Sequence, residues 1–157
     1  MKLYHGSTTD IANIDLALSK PNKDFGRAFY LSDDRQQALE MAQFRAEFEE
    51  TEPVVNVYEF DETLFQKYHY KRFEAYTEEW AHFVYDHRTE PHGRTLHDYD
   101  IVYGPIANDR VGAQIARYKQ GYITFDEFLR RIQYIKGITF QYAFCTQRAI
   151  DKLQKIK

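Results

Sequence analysis

Four histidines recur every five residues, at His82, His87, His92 and His97, and form the first pattern to test for metal binding. Five residues of helix turn through roughly 500°, so successive rings would splay by about 140° instead of converging. Pro91 and Gly93 interrupt the run, and neither a cysteine pair nor H-E-x-x-H accompanies it. The expectation is solvated or hydrogen-bonded rings and no metal. Cys145 lies in an apolar run with no histidine near it in sequence, and reads as a small buried residue instead of a nucleophile. No G-x-G-x-x-G follows a strand and no Walker-type loop is present, which removes both common nucleotide cradles. Asp24-Phe25-Gly26 resembles the kinase metal-binding tripeptide, but the glycine loop, strand lysine and catalytic loop of that fold are missing. KYHYKRF (67–73) and FLRRI (128–132) interleave cations with rings, as some nucleic-acid binders do. A lysine-guarded edge strand and a helix with a charged outer face are the simpler readings.

The N-terminal third is more specific. Tyr4-His5-Gly6-Ser7 is followed some twenty residues later by Asp24-Phe25-Gly26-Arg27-Ala28-Phe29-Tyr30-Leu31-Ser32. Taken singly, His5 reads as a hydrogen-bonded core histidine and Tyr30 as one more core ring. Taken together, the two segments resemble the first two signatures of the ADP-ribosyltransferase superfamily, named for a His, a Tyr and a third, usually acidic, residue on three strands. The whole chain is also similar to a bacterial domain-of-unknown-function family placed in that superfamily. The shared features, in order, are the YHGS start, the Asp24–Ser32 segment, Trp80 with Phe83, the run from Asp100 to Asp109, and Gln141 to Thr146.

The resemblance implies that NAD is the substrate and that the nicotinamide–ribose bond is broken through an oxocarbenium-like centre, as in glycoside cleavage. It implies that His5 hydrogen-bonds a ribose hydroxyl of the adenosine half. Gly6, lacking a side chain, lets its backbone approach the nicotinamide carboxamide, and Ser7 adds a hydroxyl contact. Tyr30 stacks on the nicotinamide ring. Arg27 meets the pyrophosphate, the alternative being a surface pair with Asp24. It further implies a toxin of a toxin–antitoxin pair, held in check by a small helical antitoxin protein.

The third signature departs from the pattern, because Gln141 stands where the superfamily usually has Glu. In the late strand Phe140, Tyr142 and Phe144 face one way and read as core; Gln141, Ala143 and Cys145 face the other. Gln141 can hydrogen-bond a ribose hydroxyl, but it has no charge to stabilise a cation and cannot act as a base. A polar residue at a sheet surface is the plainer reading. The substitution leaves open transfer to an intrinsically good nucleophile, help from another acid such as Asp109, or lost catalysis. Three functions therefore stand side by side: a mono-ADP-ribosyltransferase, an inactive NAD or ADP-ribose binding module, and a protein-interaction domain. The ADP-ribose acceptor is not indicated.

The elements that must position these residues are short and mixed. Strands are expected over 2–7, 26–32, 54–60, 70–73, 100–106 and 139–146. Helices are expected from Asp33 to about Glu50 (capped by Asp33, with Leu39, Ala42 and Ala46 on one face) and after Thr77, carrying Trp80 and Val84. Further helices carry Val111, Ile115 and Tyr118, open at Thr124 with Glu127, and end the chain with Ala149, Leu153 and Ile156 on one side. The fold class is α+β with largely antiparallel strands. The resemblance sharpens this to a split β-sandwich of two small sheets with flanking helices and a cleft between them, over which the polar stretch before Phe25 would lie as a lid. At 157 residues, with 43% hydrophobic and 29% charged, the chain reads as one globular domain, 1–157. The 13 Tyr and 12 Phe can both stiffen a core and line a flat-sided pocket. A net charge of −3 gives no global pull towards nucleic acid or lipid. The early polar turn after MKLYHGS, the lone cysteine and the lack of a long apolar run point to a soluble, cytoplasmic protein.

Overall fold

The computed structural model describes residues 1–134 and 138–156. Among these residues seven strands form two sheets. In the first, β1 (Lys2–Ser7) pairs antiparallel with β3 (Val54–Glu59), Leu3 opposite Tyr58, and β3 pairs with the short β7 (Gln154–Lys155). The second has the order β2 (Phe29–Leu31), β6 (Phe140–Phe144), β5 (Ile101–Pro105), β4 (Tyr70–Arg72). Within it β4 and β5 run parallel, and the β2–β6 and β6–β5 pairs are antiparallel. The architecture is α+β, with two mostly antiparallel sheets and flanking helices, as expected.

The sheets pack through an aromatic core. Tyr142 and Phe144 of β6, Phe29 and Leu31 of β2 and Ile101 of β5 meet Leu3, Tyr58 and Phe60 of the first sheet and its exit. Phe60 stands edge-on to Phe144 at 5.1 Å, and Phe29 edge-on to Tyr58 at 5.8 Å, geometries that suit the ring quadrupole. The opposite face of the second sheet is not a surface. Val102 and Ala143 are buried there under Phe25, Phe73 and α2 (Glu78–Thr89), with Trp80, Ala81 and Val84 facing in. Trp80 Nε1–H donates to the Pro105 carbonyl at 3.0 Å, joining α2 to the end of β5.

α1 (Arg35–Glu49) lies directly on β1 and buries Ala38, Ala42 and Ala46. Its cap is Asp34, which accepts from the Gln36 N–H, and not Asp33; Ala38 joins Ala42 and Ala46 on the buried face, and Leu39 lies half-buried beside them. The small side chains are required, since a Cβ on Gly6 would stand 2.1 Å from the Ala38 carbonyl oxygen. α3 (Val111–Lys119) and α4 (Phe125–Arg131), the latter opened by the Thr124–Glu127 capping box, cover the outer core. The closing helix is shorter than expected. α5 (Gln147–Ile150) stops, and the chain turns into β7, where the Ile156 N–H donates to Val57 at 2.8 Å. The otherwise unpaired edge of β3 captures the segment and overrides its helical spacing. No helix among the described residues is long and apolar enough to cross a membrane.

Candidate functional site

β1 and β2 meet at one point. Tyr4 and Ser32 exchange both backbone hydrogen bonds, each 2.8 Å, and no further bridge joins the two strands among the described residues. Continued pairing would set Gly6 opposite Tyr30, but here the strands part. In an antiparallel ladder every second residue turns its N–H and C=O to the same side. Those of Gly6 therefore follow Tyr4, away from β3 and into the split, and those of Tyr30 follow Ser32 to face them. His5 spans this split. Its Nδ1 lies 2.6 Å from the Tyr30 carbonyl oxygen, and its ring stacks on Phe29 at 4.2 Å. A carbonyl only accepts, so Nδ1 carries the proton and Nε2 is left as an acceptor. Burial pushes the imidazole pKa down to about 4, the Tyr30 carbonyl opposing and Arg45 adding a smaller lowering effect. His5 is neutral at pH 7.

Tyr30 is half-buried and its hydroxyl is committed: it accepts from the Phe25 N–H at 2.9 Å and donates to the Gly26 carbonyl at 2.8 Å. Burial, then the neighbouring charge of Asp24, raises the phenol pKa well above its ordinary value. The ring is thus held by its own preceding turn as a rigid plate. Gly26 makes that turn with φ of 88°, and a Cβ there would press on His87 and Thr95. Across β6, Tyr30 pairs with Ala143, two residues from Gln141 on the same face. Ser7 is buried, its Oγ accepting from the Thr9 N–H at 3.4 Å.

Asp24 completes the group. Its buried carboxylate accepts from Arg88 Nε at 2.8 Å on one oxygen and from Gln141 Nε2 at 3.3 Å on the other. Gln141 is half-buried, and its amide has Asp24 as a partner on the face that Phe25 and α2 cover at Ala143. Asp109, the other acid considered, is exposed in the turn before α3, and Asp24 is the carboxylate that touches Gln141. Arg27 does not pair with Asp24; its guanidinium donates to the carbonyls of Ala17 and Ser19. The structure thus bonds His5 to the Tyr30 carbonyl, sets Gln141 against Asp24 on the face that Tyr30 shares with Ala143, and turns Arg27 onto the 17–19 carbonyls. The sequence offered Asp24-Phe25-Gly26 as a kinase-like tripeptide and as the start of the Asp24–Ser32 signature; its role as the strut under Tyr30 and Gln141 had no separate signal.

The polar stretch 8–23 is tethered along its length. Asn56 and Tyr58 hold the backbone of Thr9 and Ile11, Gln147 holds Ile14 and Leu16, and Asn22 donates to His87 and Glu90 at the end of α2. The two described cavities lie elsewhere. One of about 600 Å³ is lined by Met1, Phe60 and Asp151 among others, and one of about 310 Å³ by Asn13, Ile14 and Ile150; neither includes His5, Tyr30 or Gln141.

The remaining candidates have structural partners. His87 Nδ1 donates to Phe83 and its Nε2 accepts from Leu96, while His97 Nδ1 accepts from Tyr99 and its Nε2 donates to Phe25. Burial lowers the pKa of both. Burial also pushes the Cys145 thiol up to about 12, which suits a packing residue. In the two cation-rich segments Lys71 pairs with Glu79, Arg72 with Glu74 and Arg131 with Glu127.

A family model described as protein of unknown function (DUF3990) matches residues 1–155. The chain belongs to the DUF3990 family. No curated protein and no solved structure matches it. For this DUF3990 member the site must therefore be read from its own residues.

Proposed function

We propose that the chain is an NAD-dependent mono-ADP-ribosyltransferase. The observation that carries this reading is the split of β1 from β2 immediately after Tyr4 and Ser32, with His5 bonded to Tyr30 across it. By strand alternation one backbone donor and one acceptor of the buried Gly6 face the split instead of β3, and together they are the complement of a carboxamide. His5 Nε2 is an acceptor poised for a hydroxyl, and the Tyr30 plate suits an aromatic cation. In the reaction the bond from the ribose anomeric carbon to the nicotinamide nitrogen breaks, its electron pair leaving with neutral nicotinamide. The acceptor's lone pair then bonds that carbon and the acceptor gives up a proton to solvent.

Incubation with NAD labelled in the adenosine half, alone and with cell lysate, tests the proposal. Nicotinamide release together with label on protein or nucleic acid supports it. NAD binding without release or transfer overturns it in favour of an NAD or ADP-ribose binding module, the reading that the neutral Gln141 favours. No effect of millimolar NAD on the melting temperature would remove both.

The proposed setting is the toxin half of a toxin–antitoxin pair in the cytoplasm, and the outer face of α1 supports a helical partner. Met41, Phe44 and Phe48 follow one another at spacings of three and four, and the two rings are 72% and 86% exposed. Glu40 and Glu47 run along one side of this stripe, which suits an amphipathic helix with a basic flank. Replacing both rings by Glu should abolish co-purification with that partner and leave NAD binding intact.

A further inference from the structure

Gln141 is held in a way that its sequence position does not reveal. Asp24, with its side chain 8% exposed, turns one oxygen to Arg88, Nη2 at 2.6 Å and Nε at 2.8 Å. The other oxygen faces Gln141 Nε2 at 3.3 Å. A carboxylate gripped by a guanidinium accepts hydrogen bonds and does not donate them. Only the NH₂ end of the amide can therefore face Asp24. The carbonyl end, Oε1, must turn away from Asp24. The strand places Gln141 on the same face as Ala143, the residue opposite Tyr30, so the amide belongs to the group around the Tyr30 ring.

We infer that Asp24 is a positioning residue: it orients the Gln141 amide so that Oε1 offers a ribose hydroxyl the acceptor that a glutamate would otherwise supply. This rests on the ADP-ribosyltransferase reading above. Asp24 and Arg88 cancel in charge, so the site gains a correctly turned acceptor without gaining a base. Exchanging Gln141 for Glu then does not improve this chain. It sets a second carboxylate against Asp24, and the two repel. Asn at position 24 has the opposite fault, because its own amide can donate to Oε1 and let the Gln141 amide turn round. The two changes together restore a donor at 24 facing an acceptor at 141.

The test is a double-mutant cycle on the full chain with D24N, Q141E and D24N/Q141E, read by NAD affinity and nicotinamide release, with melting temperature alongside. Each single variant should lose at least tenfold in release with the chain still folded, and the double variant should regain the wild-type rate or exceed it. Losses that multiply in the double variant overturn the inference, as does a Q141E that outperforms the wild type. A wild type that neither binds NAD nor releases nicotinamide defeats the ADP-ribosyltransferase reading instead. In that event, or if D24N does not fold, the side-chain amide signals of Gln141 in the wild type decide the orientation. One proton shifted downfield and slow to exchange supports the Asp24 contact, and two ordinary free-amide signals overturn it.

Discussion

The imidazole of His5 and the main-chain carbonyl of Tyr30 stand 2.6 Å apart, so the ring of one strand closes the gap left where its neighbour diverges. The bond requires a proton on Nδ1, and burial, which outweighs the carbonyl's pull towards the cation, keeps the ring neutral with a folded pKa of about 4. An unfolded histidine titrates near 6.5. Between those values the unfolded chain binds a proton that the folded chain refuses, so stability is complete above about pH 6.5 and falls as the pH drops towards 4. The loss amounts to at most about 3 kcal/mol. His87 and His97 are lowered in the same direction and add to it. Urea unfolding at pH 7 and pH 4.5 should show this difference, and His5→Gln should shrink it while lowering stability at pH 7. A His5→Gln variant with an unchanged pH slope would mean the ring is solvated.

Gly6 has a structural duty independent of any ligand. Ala at this position would drive its Cβ against the Ala38 carbonyl and the Ala42 amide of α1, both backbone atoms that cannot swing aside. Overpacking of this kind costs about 1–3 kcal/mol when neighbours relax, and here the helix itself must move. Gly6→Ala is expected to lower the melting temperature by about 10 °C or more for a domain of this size. Displacement of α1 should also loosen β1, so exchange of the Tyr4 amide with deuterium should quicken in step. A variant as stable as the wild type would contradict the packing of α1 on β1.

Tyr30 separates ring from hydroxyl. Tyr30→Phe removes the bonds to the Phe25 N–H and the Gly26 carbonyl, both partly shielded from water, and should cost about 1–3 kcal/mol. It leaves the plate itself in place, so NAD affinity should fall only a few-fold. Tyr30→Ala removes the plate and should weaken NAD binding more than tenfold relative to Tyr30→Phe. Equal losses from the two substitutions would assign Tyr30 to the turn alone.

The sequence carried most of the strands and helices because their caps and ring-rich runs are local signals. Thr77 and Thr124 cap the helices expected of them, and the late strand sends Tyr142 and Phe144 inward as its alternation implies. What failed was non-local. Nothing near Leu153 or Ile156 announces that β3 has a free edge to capture that segment. Nothing near Gln141 announces that α2 brings Arg88 and the Asp24 turn over its face. Alternation shows which side a residue takes, and only the packing of other elements shows whether that side meets water.

A bidentate ion pair outside the site ties the second sheet to α5. Asp100, with its side chain 3% exposed, accepts from Arg148 through both oxygens, at 2.8 and 2.6 Å, from the Thr146 hydroxyl at 2.6 Å and from the His69 N–H at 2.9 Å. The Arg148 bonds first, then that of Thr146, hold the carboxyl far below the ordinary aspartate range despite its burial. A depressed carboxylate contributes stability above its unfolded pKa of about 3.9 that is lost as the pH falls further. Its loss therefore begins where that of His5 ends, and the acid transition should show two slopes. Asp100→Asn leaves the Arg148 charge without its partner, but Arg148 is 67% exposed and can turn to water. The cost should come chiefly from the lost bonds to Thr146 and His69, about 2–4 kcal/mol in all. Arg148→Ala keeps those two bonds but strands a buried carboxylate without its cation, and should cost more, about 3–5 kcal/mol. If Arg148→Ala proved the milder change, the Thr146 and His69 bonds alone would suffice to hold the charge.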